Sequence, residues 1–421
     1  MSSELLLAAA SAAQGFDVEA ATRAYLDTLQ GAARAKSDAY FEGGYWLPLS
    51  GALVSLVAYW IMLRFGWSAA WSRWADRVTS RRWLKPALYA VPFIIAGALL
   101  VLPWTIYIGF IREHQYALSN QSFVEWFKEW GIMLGVGVVA DGIFIAIVYA
   151  VIRNSPKRWW LWGTAAFAAL MTVLIMVSPV FIDPLVNKYT PMEAGPVRSE
   201  ILRIAHEQGI PADNVYVVDA SKQSKRISAN VAGLGPTIRI ALNDNLLNRS
   251  NLAGIKAVMG HEMGHYKLYH IQKLVLYLSL LALAGFAIAY WAVPRLLARY
   301  GERWGVRDVA DPASAPVFWA LLALMSVPGG LIFNSIIRHH ESEADAFGLE
   351  AAREPDGFAM TAMQLSEYRK IEPAPWEERI FFDHPSGRTR VRMAMEWKAK
   401  HLAELPPDQR GIIVMTGPPA K

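Results

Sequence analysis

Six stretches of this 421-residue chain are too long and too apolar for an ordinary soluble domain. They cover about 45–66, 87–110, 130–152, 160–182, 271–293 and 315–337, each near the roughly 20 residues that carry an α-helix across a bilayer core. Within lipid the backbone must satisfy its own hydrogen bonds, and uninterrupted apolar runs of this length do so as helices. The fold class follows: mostly α, a multi-pass transmembrane helical bundle and so an integral multi-pass membrane protein. Composition agrees, with 54% hydrophobic and only 18% charged residues, and 17 Trp of the kind that line membrane interfaces. The net charge of +5 could indicate nucleic acid, but the basic residues gather in short loops between the apolar runs, where membrane topology accounts for them. No nucleic-acid motif is present, so the expected partners are membrane lipid and whatever the soluble segments bind.

The spans divide the rest of the chain. Residues 1–44 form an N-terminal helical segment, 45–182 hold spans one to four, 183–270 are a soluble insert, 271–338 hold spans five and six, and 339–421 are a soluble C-terminal segment. The run beginning Glu4-Leu5-Leu6-Leu7 has about ten apolar residues, too few to span, and no basic residue precedes it as in a signal segment. Asp17 to Ala35 reads as one polar helix. Inside the spans charge is scarce; Asp141 is the exception, and it reads more simply as facing a polar interior than as a functional carboxylate. In the insert, Pro196 to Gln208 reads as a helix stopped by Gly209 and Pro211. Val215 to Asp219 and Thr237 to Leu242 read as strands of a small β-hairpin or sheet, with Gly233, Gly235 and Pro236 marking the turn between them.

The insert ends in Met259-Gly260-His261-Glu262-Met263-Gly264-His265. Histidines four apart on a helix share a face one turn apart, so His261 and His265 can reach one metal ion. Glu262 lies beside that face, where its carboxylate can take a proton from a water at the metal without being a ligand. The chain has no cysteine, which excludes disulfides and thiolate ligands and leaves histidine and carboxylate to complete any zinc site. Ser250 is a plausible N-cap of this helix, which should run on toward the fifth span and place the metal near the membrane surface. A third ligand is required. Roughly 75 residues on, Arg338-His339-His340-Glu341-Ser342-Glu343-Ala344-Asp345 is acidic and helical, with Glu341 and Glu343 as rival carboxylates. His339 and His340 point to different faces and read as surface; His270 reads as facing away from the metal.

These motifs resemble the type I CAAX prenyl endopeptidases, membrane-embedded zinc metalloproteases. The similarity rests on HEMGH at 261–265, Glu-Ser-Glu-Ala-Asp-Ala-Phe at 341–347, His384-Pro385, and the block from Ser224 to Leu247. It implies a zincin-like metalloprotease domain of gluzincin type, with Zn²⁺ on His261, His265 and Glu341 and with Glu262 as general base. It further implies Asp345 holding a ligand histidine by its other ring nitrogen, and His384 steadying the oxyanion. The strand from Ala229 through Asn230 to Gly233 matches an edge along which an extended peptide would pair. The family has seven spans where six are counted here, and its Ser-Arg before the third ligand reads Ile337-Arg338.

The expected function is a zinc-dependent membrane endopeptidase acting on a peptide or protein substrate, with or without an attached lipid. A quality-control protease with broader specificity fits the same motifs. So do a protein that binds zinc only for structure and, if the motif is fortuitous, a non-enzymatic transporter or scaffold. Sidedness is contested. The basic loops 67–86, 153–159 and 294–314 lie together opposite the loop 111–129, and the positive-inside rule then places the insert outside the cytosol. The family resemblance implies a cytosolic site.

Overall fold

The computed structural model describes residues 16–233 and 238–415; the apolar run from Glu4 and the turn residues Gly235 and Pro236 lie outside them. In chain order the main elements begin with α1 (Val18–Leu26), α2 (Gly31–Gly44), α3 (Leu47–Arg64), α4 (Trp67–Val78), α5 (Leu84–Ile106), α6 (Phe123–Asn154) and α7 (Trp159–Val177). Next come β1 (Tyr189–Pro191), α8 (Pro196–Glu207), β2 (Val215–Val218), β3 (Ala229–Ala232), β4 (Arg239–Asn243), α9 (Asp244–Arg249) and α10 (Leu252–Lys267). The chain closes with α11 (His270–Trp304), α12 (Ala315–Ala352), α13 (Pro355–Leu365), α14 (Pro375–Phe381) and α15 (Gly387–Lys400). Six helices among the described residues are long and apolar enough to cross a membrane, as the apolar runs require. The chain separates into two compact units.

One unit comprises Trp46–Val186 and Gln272–Gly330. Its core is aromatic and aliphatic, built on Met62, Tyr89, Phe93, Ile145, Tyr149 and Trp159. Large apolar side chains such as Leu53, Leu99, Val139, Leu280 and Leu322 remain exposed along the helices, a surface suited to lipid and costly in water. The short α4 buries Ser68, Ala69, Ser72 and Ala75 and exposes Trp67 and Trp74. Twelve residues reach only about 18 Å, so it cannot span. Ser68 bonds Tyr89 at 2.7 Å and the Ala313 carbonyl at 2.8 Å, and Ser72 donates to Asp311 at 2.6 Å. These bonds tie α4 to α5 through Tyr89 and to the loop between α11 and α12 through Ala313 and Asp311. Asp141 is exposed on α6.

The other unit gathers Met1–Tyr45, Asn187–Ile271 and Leu331–Lys421. The single polar helix expected over Asp17–Ala35 is two. α1 is capped by the Asp17 carboxylate accepting from the Ala20 N–H, and the chain restarts at Gly31, whose φ of +59° is open to glycine. The sheet has the order β1-β2-β4-β3, with β1 antiparallel to β2, β2 parallel to β4, and β3 antiparallel to β4. The sequence suggested a direct hairpin between Val215–Asp219 and the 237–242 strand. Instead those strands run parallel, and β3 is the antiparallel partner of β4. A parallel pair needs a crossover, here the segment that contains β3. This leaves β3 at an edge.

α10 lies between two cores. Ile255, Met259 and Met263 pack with Ile201, Ile240 and Leu242 of the sheet layer, while Ala257 packs with Tyr25, Phe358, Met360 and Val391. Its N-cap is Asn251, whose side chain accepts from the Gly254 N–H at 2.9 Å; Ser250 hydrogen-bonds Gln364 instead. The helix does not run straight into the fifth span. It stops at Lys267, turns through Tyr269 at φ +58°, and α11 begins at His270.

Candidate metal centre and active site

The site starts from two glycines. A Cβ on Gly348 of α12 would lie 2.7 Å from the His261 backbone nitrogen, and one on Gly260 would lie 2.9 Å from the Gly348 carbonyl oxygen. Backbone thus meets backbone where α10 and α12 cross. Glu341 and Asp345, two turns and one turn before Gly348, are carried to the histidine face of α10.

The result is a tight convergence. His261 Nε2 and His265 Nε2 are 3.0 Å apart; Glu341 Oε2 is 3.2 Å from His261 Nε2, and Glu341 Oε1 is 3.5 Å from His265 Nε2. Ligands about 2.0–2.1 Å from a tetrahedral ion stand about 3.3 Å from one another; one ligand atom from each of these three residues lies within 4.8 Å of the others, a grouping that can close on a metal ion. A second observation supports the fit: Glu341 Oε2 is buried yet accepts no hydrogen bond, a costly state that a cation would relieve. Glu343, the rival carboxylate, instead meets His270 Nε2 at 3.1 Å.

Around the trio each ring is held from behind. His261 Nδ1 donates to Asp345 Oδ1 at 2.7 Å. The buried Arg390 then grips Asp345 with two bonds, Nε to Oδ2 at 2.9 Å and a terminal nitrogen to Oδ1 at 2.6 Å. His265 Nδ1 meets His270 Nδ1 at 2.9 Å. With His265 Nε2 kept as a lone pair, the proton order is His265 Nδ1–H to His270 Nδ1, then His270 Nε2–H to Glu343. His340 stacks on His270 at 4.5 Å between ring centres. His384 directs Nε2 to Glu341 Oε2 at 3.1 Å, and its Nδ1 donates to Asp383 at 2.9 Å.

Electrostatics sort the groups. Burial disfavours charge on His261, but the hydrogen bond to Asp345 and the adjacent Glu341 carboxylate outweigh it and raise its pKa to about 10. Burial, then the neighbouring His261, lowers His265 to about 3, so that ring is a neutral ligand at any working pH. Burial pushes Glu262 up to about 7, within the range useful to a proton-transferring carboxylate. Glu262, His261 and His384 line a cavity of about 220 Å³ whose far wall includes Ala229 of the edge strand. Asn230 is exposed beside it, and Gly233 follows the strand with φ +102°.

Comparison with known proteins follows the same lines. Residues 191–398 match the model of peptidase family M48, and residues 22–188 match that of the CAAX prenyl protease N-terminal domain, described as five membrane helices. The chain is 26% identical over 362 residues to an uncharacterized metalloprotease, YhfN, of Bacillus subtilis, covering 86% of this chain and 85% of that one. It is 31% identical over 297 residues to a CAAX prenyl protease 1 homolog of Arabidopsis thaliana, covering 69% of each. The crystal structure of S. mikatae Ste24p superposes with a TM-score of 0.73 at 21% identity, over 87% of this chain and 90% of that one, and shows a shared fold. The chain belongs to the CAAX prenyl protease 1 family of M48 peptidases. It is an integral membrane metalloprotease, and the family implies a metal and a peptide or protein substrate.

Within this family member, sequence reasoning missed several residues around the trio. His270 was expected to face away and His340 to lie on the surface; both are buried, at 4% and 3% exposure. The break at Tyr269 redirects the chain and brings His270 back to His265. Arg390 stood unmarked among Arg388, Arg390 and Arg392. The one available signal was its place on the apolar stripe of α15 with Val391, Ala394 and Trp397. The departure from the family pattern is at Ile337; Arg338, which matches that pattern, donates to the Glu378 and Phe382 carbonyls and fixes the segment leading to His384.

Proposed function

We propose that the protein is a zinc-dependent endopeptidase of gluzincin type that cleaves extended peptides at the membrane surface. The ligands are His261, His265 and Glu341. The observation that carries this reading is the convergence, at 3.0–3.5 Å, of the two histidine Nε2 atoms and the two oxygens of the Glu341 carboxylate, beside a cavity shared with Glu262 and a sheet edge. Zinc bound there supplies Lewis-acid polarisation of the scissile carbonyl and acidifies a water. The chain's residues do the rest. Glu262 takes the water's proton and passes it to the leaving amine. His384, steered by Asp383, donates from Nε2 to the developing oxyanion. Asp345, clamped by Arg390, fixes the His261 ring, with its metal-facing nitrogen unprotonated. The edge strand at Ala229 and Asn230, with Gly233 ending it, pairs with the substrate backbone and sets its register.

Replacing Glu262 by Gln should leave stoichiometric zinc in the purified protein and lower cleavage by about 10²–10⁴-fold. Metal analysis together with a peptide assay checks it; normal cleavage by this variant would remove Glu262 from the mechanism. The relatives named CAAX prenyl protease 1 suggest prenylated C-terminal peptides as substrates. A farnesylated peptide should then be cut faster than its unmodified twin, and equal rates would favour a broader quality-control role.

A further inference from the structure

We propose that Arg369 forms a carboxylate-binding subsite in the wall of the catalytic cavity, selecting peptides that present an acidic group there. The inference rests on the proteolytic reading above and adds a specificity determinant to it. Arg369 lines the same cavity as Glu262, His384 and Ala229. One of its terminal nitrogens is buried and makes no hydrogen bond within the protein.

The other cations nearby are committed. Arg390 is bonded twice to Asp345. Arg249 is bonded to both carboxylate oxygens of Glu367. Arg226 donates to the Tyr40 hydroxyl and lies over the Tyr368 ring at 5.3 Å. Asp383 feels the field of Arg369 but accepts its hydrogen bond from His384.

A desolvated guanidinium N–H without an acceptor is uncommon in folded proteins and marks a place where a partner is missing. Guanidinium presents a planar fork of donors matched to a carboxylate, and such bonds strengthen where water is scarce. The surrounding wall is mixed, with apolar Ala257, Val258, Phe358 and Leu365 beside polar Ser228 and Thr361, and its apolar part weakens the competition of solvent for an anion at Arg369. For a peptide the anion is a carboxylate, either the terminal one or an Asp or Glu side chain.

The test compares peptides of one sequence on the full-length protein: a free C-terminal carboxylate, the C-terminal amide, and versions with Glu or Gln near the scissile bond. Wild type should favour the carboxylate form by about tenfold or more in kcat/KM, mostly through KM. The source is the arm in which neutralisation abolishes the preference. In Arg369→Gln the carboxylate-to-amide ratio should fall to near one, and Arg369→Lys should restore part of it. A purely structural role would slow all peptides alike and leave the ratio intact, which overturns the proposal. The same peptides bound at equilibrium to Glu262→Gln protein read the subsite without turnover. Preferential carboxylate binding there supports it even if no tested peptide is cleaved, whereas indifference to the carboxylate sinks it independently of whether the protein is a protease.

Discussion

At the residue scale the site combines groups that the sequence advertises with groups it hides. Two histidines four apart around a glutamate announce themselves, because few chemistries need that spacing. Arg390, His270 and Arg369 do not, because their roles exist only once distant segments meet, and arginine and histidine are common on surfaces. The hidden groups carry a consequence for metal binding. In the metal-free protein His261 holds a proton up to about pH 10, since Asp345 and Glu341 stabilise the imidazolium against burial. A metal must displace that proton, whereas His265, lowered to about 3, is already neutral. A raised pKa therefore means stronger proton competition at lower pH, and zinc affinity should increase about tenfold per unit from pH 6 to 8. Chelator-competition titrations at three pH values would show it. Affinity flat across that range would mean that His261 is not protonated in the free site.

At the scale of elements, the spans were legible because lipid imposes a length and a composition on each. The small sheet was only partly so. Short strands of Val, Ile and Ala announce extended structure, but not whether a neighbour pairs parallel or antiparallel, which the crossover decides. Also illegible was the crossing of α10 and α12, where the two helices approach through Gly260, Gly264, Ala344 and Gly348. That crossing yields a sharp prediction. Gly348→Ala places a methyl 2.7 Å from the His261 nitrogen and 2.9 Å from its Cα, so the helices must separate. Overpacking of this kind costs about 1–3 kcal/mol. Because Glu341 and Asp345 ride on the displaced helix, the variant should melt a few degrees lower and also lose zinc on dialysis. Gly330→Ala on the same helix meets nothing within 4 Å and should keep both its zinc and its melting temperature. If Gly348→Ala behaves like Gly330→Ala, the backbone contact is not what sets the metal site.

At the scale of the whole molecule, contacts within each unit constrain how the chain is threaded. Ahead of the first span, Tyr25 hydrogen-bonds Asp356 and Ile413, which follow the sixth. Tyr40, also ahead of the first span, bonds Arg226 in the insert after the fourth. Segments that touch outside the membrane share a side, so four spans before the insert and two after it are the consistent count; an odd number in either place would separate them. An independent pair agrees. Ser72 follows one span and Asp311 follows five, and they too are bonded, with an even four between them. The absence of cysteine makes the test direct. Single cysteines at the exposed positions Lys36, Asp213 and Asp408 should label identically with a membrane-impermeant maleimide on intact cells. Cysteines at Ser80, Lys157 and Glu302, in or beside the basic loops, should give the opposite result. Labelling of the first set places the catalytic unit outside the cytosol, as the positive-inside rule requires; protection places it in the cytosol, as the family resemblance implies. Disagreement within the first set would break the six-span count itself.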